Sequence, residues 1–287
     1  MVISGGTKLL GIIGDPVRHS RSPQMQNRAL AAAGLDYVYV PWHVTPDLLP
    51  QAIAGFRAVG VHGFNVTVPH KVAVLPLLDR LSSEAEEIGA VNTVHNQSGA
   101  LVGHNTDGVG LVVSLGEELG FDPHGANILV MGSGGAARAA LHALCSAGAG
   151  RVVIVNRSPH RAVELAERYG KLFPRILLEG RGELPPSLGD VDLLLNTTTV
   201  GMDALSLIAD PALLGDSAMV YDMIYSPSES PLLAAARQRG LRCANGLGML
   251  AAQGERAFTL WTGVPPPHGL MKRVLLGDCD QLLPTVS

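Results

Sequence analysis

Lys71 and Asp107 are side chains of the types that move a proton to or from a carbonyl oxygen. Reducing a carbonyl takes a hydride donor and a proton for the developing alkoxide. A lysine beside a carboxylate can polarise that oxygen and relay the proton. Both residues stand inside runs of hydroxyls and amides. The first run is His19-Ser20-Arg21-Ser22-Pro23 and the second is Asn65-Val66-Thr67-Val68-Pro69-His70-Lys71. The third pairs Asn92-Thr93 with Asn105-Thr106-Asp107. Such a set suits a polyhydroxylated, carboxylated small molecule better than an apolar one. Capping and turn chemistry would explain each run separately, with Ser22 and Asp107 as helix caps. A surface salt bridge would explain the lysine and the carboxylate. Three runs, each beside the end of a predicted strand, favour a site, because open α/β sheets bind ligands at their strand C-termini.

A second constellation is Gly132-Ser133-Gly134-Gly135-Ala136-Ala137, of the G-x-G-x-x-A form. Glycines there permit a tight turn and close backbone approach, and the following helix N-terminus offers N–H donors to a pyrophosphate. An ordinary glycine-rich turn has the same composition in a chain with 34 glycines. Placement after a strand and before a helix favours the nucleotide loop. About twenty residues on, where NAD-specific folds carry an acidic residue for the ribose 2′-hydroxyl, the sequence reads Asn156-Arg157-Ser158-Pro159-His160-Arg161. A carboxylate would repel a 2′-phosphate, whereas two guanidiniums at i, i+4 can clamp it. NADP rather than NAD is the expected cofactor. Solvated helix-surface charge is the alternative reading of Arg157 and Arg161.

The elements that must position these groups alternate between β-rich runs and amphipathic stretches, the pattern of an α/β fold with parallel sheets. In the first half the expected strands are Leu9–Gly14, Tyr37–Val40 and Gly63–Val66, with a helix from Ser22 that has Pro23 at its first position and another capped start at Thr45-Pro46. Val91–His95 and Leu101–Gly103 flank a turn at Asn96–Gly99 and read as a hairpin. The second half restarts with the strand Asn127–Met131, an alanine-rich helix from about Gly135 to Ala147, and the strand Arg151–Val155. A helix capped at Ser158 follows, to about Tyr169, then the strands Asp192–Leu195 and Ala218–Asp222 and a helical stretch from Leu247. Asp107–Gly110 joins the halves as a helix or tight crossover, since no long linker exists.

Composition narrows the function classes. The chain has 287 residues, a formal net charge of −4, 47% hydrophobic and only 16% charged residues. That much apolar side chain excludes intrinsic disorder. No apolar, charge-free run is long enough to span a bilayer, and Leu9–Ile13 is too short for a signal-peptide core. Mild acidity argues against a nucleic-acid partner. Cys145, Cys243 and Cys279 stand far apart without Cys-x-x-Cys, which reads as reduced thiols in a cytoplasm. Ten histidines show no H-E-x-x-H or Cys/His ligand spacing, so no metal is expected. Only four of the 21 basic residues are lysines (Lys8, Lys71, Lys171, Lys272).

Taken together the motifs resemble the shikimate dehydrogenase family over nearly the whole chain. The matching runs are Gly11-Ile12-Ile13-Gly14-Asp15-Pro16 leading to His19–Pro23, Phe64–Lys71, Gly89-Ala90-Val91-Asn92-Thr93 and Asn105-Thr106-Asp107-Gly108. The second half adds Gly132–Ala136, Asn156-Arg157-Ser158, Asn196-Thr197-Thr198, Tyr221–Pro227, and Asn245–Leu250 with Gln253. The resemblance implies NADPH-dependent reversible reduction of 3-dehydroshikimate to shikimate, on the route to chorismate and the aromatic amino acids. It implies that Ser20 and Ser22 hold the substrate carboxylate, that Asn65, Thr67, Asn92, Asp107 and Gln253 hold its hydroxyls, and that Tyr225 closes over it. Lys71 and Asp107 become the catalytic pair. Gly132, Ser133, Gly134, Gly135 and Ala136 cradle the pyrophosphate, and Asn156, Arg157, Ser158 and Arg161 take the adenosine phosphate end. Thr197, Met223, Gly246 and Met249 complete the cofactor contacts. The implied architecture is a substrate domain with a mainly parallel sheet (1–107 plus 246–287) and a Rossmann NADP domain (108–245), with a cleft between them, in a monomer or homodimer. Three departures stand out: Gln26 where the family usually has His, taken as of little consequence; Ser158 where Thr is commoner; and Thr199 where Pro or Ser is frequent. Rival readings are a quinate/shikimate or aminoshikimate dehydrogenase, or a non-catalytic nucleotide- or quinate-sensing relative. Arg157 and Ser22 speak against the first, and intact Lys71 and Asp107 against the last.

Overall fold

The computed structural model describes residues 3–278; Cys279 lies outside them. Two units divide the chain: one combines the residues before Asp107 with those after Met249, and the other is Asp107–Met249.

In the first unit the chain runs β1 (Lys8–Gly14), α1 (Ser22–Ala32), β2 (Tyr37–His43), α2 (Leu49–Ala58), β3 (Gly63–Val66), α3 (His70–Ala73), β4 (Arg80–Leu81), α4 (Ser83–Ile88), β5 (Thr93–Gln97) and β6 (Ala100–His104). Its sheet has the order β2-β1-β3-β5-β6-β4. β1 pairs in parallel with β2 and β3, and β4 with β6, while β5 runs antiparallel to β3 and β6. The β5–β6 hairpin forms at the expected turn. Ser98 and Gly99 both take positive φ, 55° and 96°, as a tight two-residue hairpin turn requires. Ile13, Phe64, Val66, Val91, Val94 and Leu101 form the core under Ile53 of α2.

The second unit runs α5 (Asp107–Ser114), which continues as a π-helical turn over Leu115–Leu119, then β7 (Asn127–Met131), α6 (Gly135–Ser146), β8 (Arg151–Val155), α7 (Pro159–Leu172), β9 (Leu177–Arg181), β10 (Leu193–Asn196), β11 (Met219–Asp222), α8 (Pro231–Gln238) and β12 (Arg242–Asn245). All six strands are parallel, in the order β9-β8-β7-β10-β11-β12. That is the order of dinucleotide-binding sheets, with the topological switch between β7 and β10. Both sheet faces are covered, as parallel strands demand. Ile128, Val130, Val152 and Ile154 pack with Leu141 and Leu144 of α6 and Leu165 of α7; Leu129, Val153, Leu194 and Val220 pack with Leu232 and Leu233 of α8.

α9 (Leu247–Thr262) carries the chain from the second unit back into the first, where α10 (Leu270–Leu276) follows. The units change over at 106/107 and 249/250, against the 107/108 and 245/246 read from sequence. The run after Asn245 is held by the second unit. A Cβ on Gly246 would lie 2.2 Å from the Met223 carbonyl oxygen, and one on Gly248 2.5 Å from Ser114 Oγ.

Four details depart from the sequence reading. β4, β9 and β12 are additional strands; they lack a β-branched run and are recruited by pairing at sheet edges. Ser22 is the first residue of α1 and not its cap: Arg21 holds that position and no side chain caps the helix. Thr45-Pro46 opens a 3₁₀ turn over Pro46–Leu48, and Thr45 makes no capping bond. Ser158 and Pro159 do sit at N-cap and first helical position of α7, but no side-chain cap bond forms.

β5 and β6 bury two imidazoles. Burial, with the neighbouring charges of His62, His104 and Lys8, lowers the pKa of His95; burial and Arg256 lower that of His104. His104 Nε2 is buried without a partner. A histidine whose folded pKa is depressed stabilises the fold above its unfolded value of 6.5, and that stability is lost as pH falls through 6.5 toward the folded value. Urea midpoints should therefore drop between pH 7 and pH 5, and the double variant His95→Gln/His104→Gln should flatten that slope. An unchanged slope in the variant would assign acid sensitivity elsewhere.

Candidate active site

In the first unit, strand register brings three separate runs of the sequence to one sheet edge. Asn65 near the C-terminus of β3 lies opposite Thr93 at the start of β5, and Thr93 lies opposite His104 at the end of β6. The polar groups before β5 and after β6 therefore join those that follow β3. Asn65 Nδ2 donates to the Asn92 carbonyl and to Thr93 Oγ1, both at 3.0 Å, and its Oδ1 accepts the Tyr39 hydroxyl at 2.7 Å. Asn92 Oδ1 accepts the Thr106 N–H at 2.8 Å and the Thr93 hydroxyl at 3.0 Å. Asn92 Nδ2 donates to Thr106 Oγ1 at 2.9 Å and to Gln253 Oε1 of α9 at 3.4 Å. Gln253 Nε2 donates to the Leu250 carbonyl. All these polar residues are buried or nearly so. Tyr39 was not among the sequence candidates, since its place in an alternating strand gives no sign of the polar partner at its tip.

The remaining first-unit candidates lie in loops and at helix starts outside this network. Lys71, half-buried at the start of α3, is held through its carbonyl, which accepts the Val91 N–H at 2.8 Å. Val91 immediately precedes Asn92. Thr67 donates its N–H to the Ile13 carbonyl, and its methyl lies where a Cβ on Gly14 would stand. Ser20 Oγ accepts the Ser22 N–H at 3.3 Å. Ser22 is 2% exposed, and its hydroxyl is not used in capping.

Parallel register does the same for the second unit. Met131 of β7 aligns with Val155 and Asn196, Asn196 with Asp222, and Asp222 with Asn245. Gly132, Asn156, Thr197, Met223 and Gly246 each follow one of these residues, so all the expected cofactor residues except those on the helices lie at strand C-termini. Gly132 has φ +111°, and a Cβ there would meet Thr197 Oγ1 at 2.6 Å. Thr197 in turn donates its hydroxyl to the Met131 carbonyl at 2.6 Å. A Cβ on Gly134 would meet nothing, and no side chain caps α6, which leaves its first-turn N–H groups to a ligand. Arg157 and Arg161 are exposed and make no ion pair among the described residues, in contrast to Arg151 and Arg181, which both engage Glu179. Asn156 Nδ2 donates to the Ser158 carbonyl. Open backbone over the loop, a free helix N-terminus and two unpaired guanidiniums suit a phosphorylated dinucleotide.

Between Thr197 and Met223 lies a buried pair absent from the sequence candidates. Asn196 Nδ2 donates to Asp222 Oδ1 at 3.0 Å and to the Val200 carbonyl, while its Oδ1 accepts from Thr198. Asp222 also accepts the Ile224 N–H and the Ser230 hydroxyl. Burial raises the Asp222 carboxyl above its ordinary value despite these donors. Among the described residues no group of three or more His, Cys, Asp or Glu is placed to hold a metal, and no helix is long and apolar enough to cross a membrane.

Fold and site define a two-unit α/β oxidoreductase with a pyridine-nucleotide unit. Three family models match the chain: the shikimate dehydrogenase substrate-binding domain over 12–94, shikimate/quinate 5-dehydrogenase over 115–200 and the shikimate 5′-dehydrogenase C-terminal domain over 246–276. The NADP(+) shikimate dehydrogenase of Geobacter sulfurreducens is 54% identical, covering 96% of this chain and 98% of that protein. A shikimate dehydrogenase crystallised with NADP+ superposes with a TM-score of 0.88 at 38% identity, covering 96% of this chain and 97% of the other. The Thermus thermophilus shikimate 5-dehydrogenase, in complex with NADP(H) and shikimate, gives a TM-score of 0.85 at 37% identity over 94% and 99%. The chain belongs to the shikimate dehydrogenase family.

Truncation of Asn65 tests the first network. Asn65→Ala removes the carboxamide that accepts from the Tyr39 hydroxyl and donates to Thr93 and to the Asn92 carbonyl, which keeps the Val66 N–H. Losing these buried bonds should cost about 1–3 kcal/mol. Urea denaturation should register that loss; a shift within error would show that water replaces the carboxamide.

Proposed function

We propose that this chain catalyses the reversible NADP-dependent oxidation of shikimate to 3-dehydroshikimate with Lys71 and Asp107 as its acid–base pair. The observation that carries the residue assignment is the buried network at one sheet edge, which fixes Asn65, Asn92 and Gln253 together and pins the Lys71 backbone to Val91. NADP, when bound, supplies or accepts the hydride. The chain's own residues bind, orient and exchange the proton. The Ser20 and Ser22 hydroxyls donate to the substrate carboxylate, and Thr67, Asn92 and Gln253 read its ring hydroxyls. Asn65 already has both amide hydrogens committed to protein acceptors, so its remaining capacity toward substrate is as an acceptor at Oδ1. In the oxidation direction the neutral Lys71 amine takes the hydroxyl proton and becomes an ammonium, and the carboxylate of Asp107, which directly follows the anchored Thr106, offsets that charge; reduction runs the proton back. Tyr225 covers the substrate.

On the cofactor side the Gly132–Ala136 loop and the start of α6 receive the pyrophosphate. Arg157, Arg161 and the Ser158 hydroxyl take the 2′-phosphate beside Asn156. Thr197, Met223, Gly246 and Met249 border the nicotinamide end. The protein is read as a cytoplasmic monomer or homodimer, and sedimentation velocity separates these two states.

A panel of shikimate, quinate and aminoshikimate against NADP and NAD tests the activity. Shikimate with NADP should be the preferred pair; faster turnover of quinate with NAD would overturn the reading. Lys71→Ala should lower kcat roughly 100-fold or more while leaving the KM for NADP nearly unchanged. Full activity in that variant would remove Lys71 from the proton transfer. Arg157→Ala and Arg161→Ala should each raise the KM for NADP by about 10-fold or more and leave that for NAD in place. Equal effects on both cofactors would sink the phosphate clamp.

A further inference from the structure

Gln26 is fully buried in α1, one helical turn after Ser22 and on the same face. Its Nε2 donates to the Gly254 carbonyl of α9 at 3.0 Å, while its Oε1 has no partner. An unpaired buried acceptor is unfavourable, so the contribution of the carboxamide at this place is its single donated bond. At the same glycine, side chains of α1 and α10 pack against α9. A Cβ on Gly254 would stand 2.4 Å from Met25 Cε and 3.3 Å from both the Met25 and Met271 sulfurs.

The residue beside Gly254 is Gln253. Its Oε1 accepts from Asn92 Nδ2 and Thr106 Oγ1, each at 3.4 Å, the long end of a hydrogen bond. Its Nε2 donates to the Leu250 carbonyl of its own helix at 2.9 Å, so the side chain is tied to α9 and its place follows how α9 is set. Gln26 grips α9 one residue away. It thereby joins the helix that carries Ser22 to the helix that carries Gln253.

We infer that Gln26 is a positioning residue for substrate recognition, fixing Gln253 relative to Ser22 through the Gly254 carbonyl. The inference rests on the substrate roles given above to Ser22 and Gln253. It gives Gln26 more weight than the sequence reading, which took it as of little consequence.

Steady-state kinetics on the intact enzyme test it, with shikimate and NADP varied separately. Gln26→Met keeps the volume and loses the donor. It should raise the KM for shikimate about 5- to 10-fold, with kcat within about twofold and the KM for NADP unchanged. Gln26→His, whose ring N–H can donate, should recover part of the loss. Should Gln26→Met not fold, Gln26→Asn, one methylene short of Gly254, carries the same expectation. A folded variant with an unchanged KM for shikimate, or with both KM values raised equally, would overturn the inference. Absence of shikimate oxidation by the wild-type chain would instead overturn the functional reading. Should the wild type oxidise another panel substrate, the positioning role is read on the KM for that substrate.

Discussion

Hydrogen bonding between parallel strands aligns their C-terminal ends, and both units build their polar chemistry on that alignment. A strand end is where the ladder stops and backbone groups need other partners. In the second unit five strands terminate within one register row, from Val155 through Met131, Asn196 and Asp222 to Asn245. The loops that leave this row are forced together whatever their sequences. In the first unit the antiparallel hairpin adds its own contribution: β5 begins where β3 ends, so Asn92 joins Asn65 although 27 positions separate them.

The cost of gathering polar groups at a buried edge is met by closing nearly every hydrogen bond. Asn65 and Asn92 are each bonded through both carboxamide atoms, and Asp222 accepts from Asn196, Ile224 and Ser230. Desolvation still dominates at Asp222, whose pKa is raised. A carboxylate in such a place is expensive unless its donors are held rigidly. Its rigidity is transmitted to the two loops it joins, one containing Thr197 and the other Met223. Asp222 thus connects the support of the glycine loop, through Asn196 and Thr198, to the turn after β11.

Local chemistry was legible in the sequence wherever a strand was β-branched and a loop glycine-rich. The strand before the glycine loop and the helix that opens from it, the hairpin at Asn96–Gly99 and the helix begun at Ser22-Pro23 all form. The Gly132 requirement is visible twice over in the structure, as a positive φ and as the space occupied by Thr197. What the sequence could not show depends on pairing between distant segments. β12, Arg-Cys-Ala-Asn, has little strand character and becomes a strand because β11 offers it an edge. Tyr39 looks like a core aromatic, and only the register that sets β1 between β2 and β3 brings its hydroxyl to Asn65. Ser22 was open to a capping role until the helix was found to begin one residue earlier than a cap allows.

Arginine and lysine divide the positive charge of this chain by the kind of charge each supplies. A guanidinium stays charged at any working pH and offers planar paired donors, whereas an amine can be tuned toward exchange of its proton. Most arginines of the second unit's sheet are neutralised by nearby acids, as Arg151 and Arg181 are by Glu179. Arg157, just before the N-cap of α7, and Arg161, in its first turn, are left exposed and unpaired, where permanent charge would serve the proposed phosphate contact. Lys71 instead sits half-buried, anchored by its own carbonyl next to the amide-rich edge. A flexible stem fixed at its base can carry an ammonium over a short path without losing its place, as the proton relay proposed for Lys71 would require.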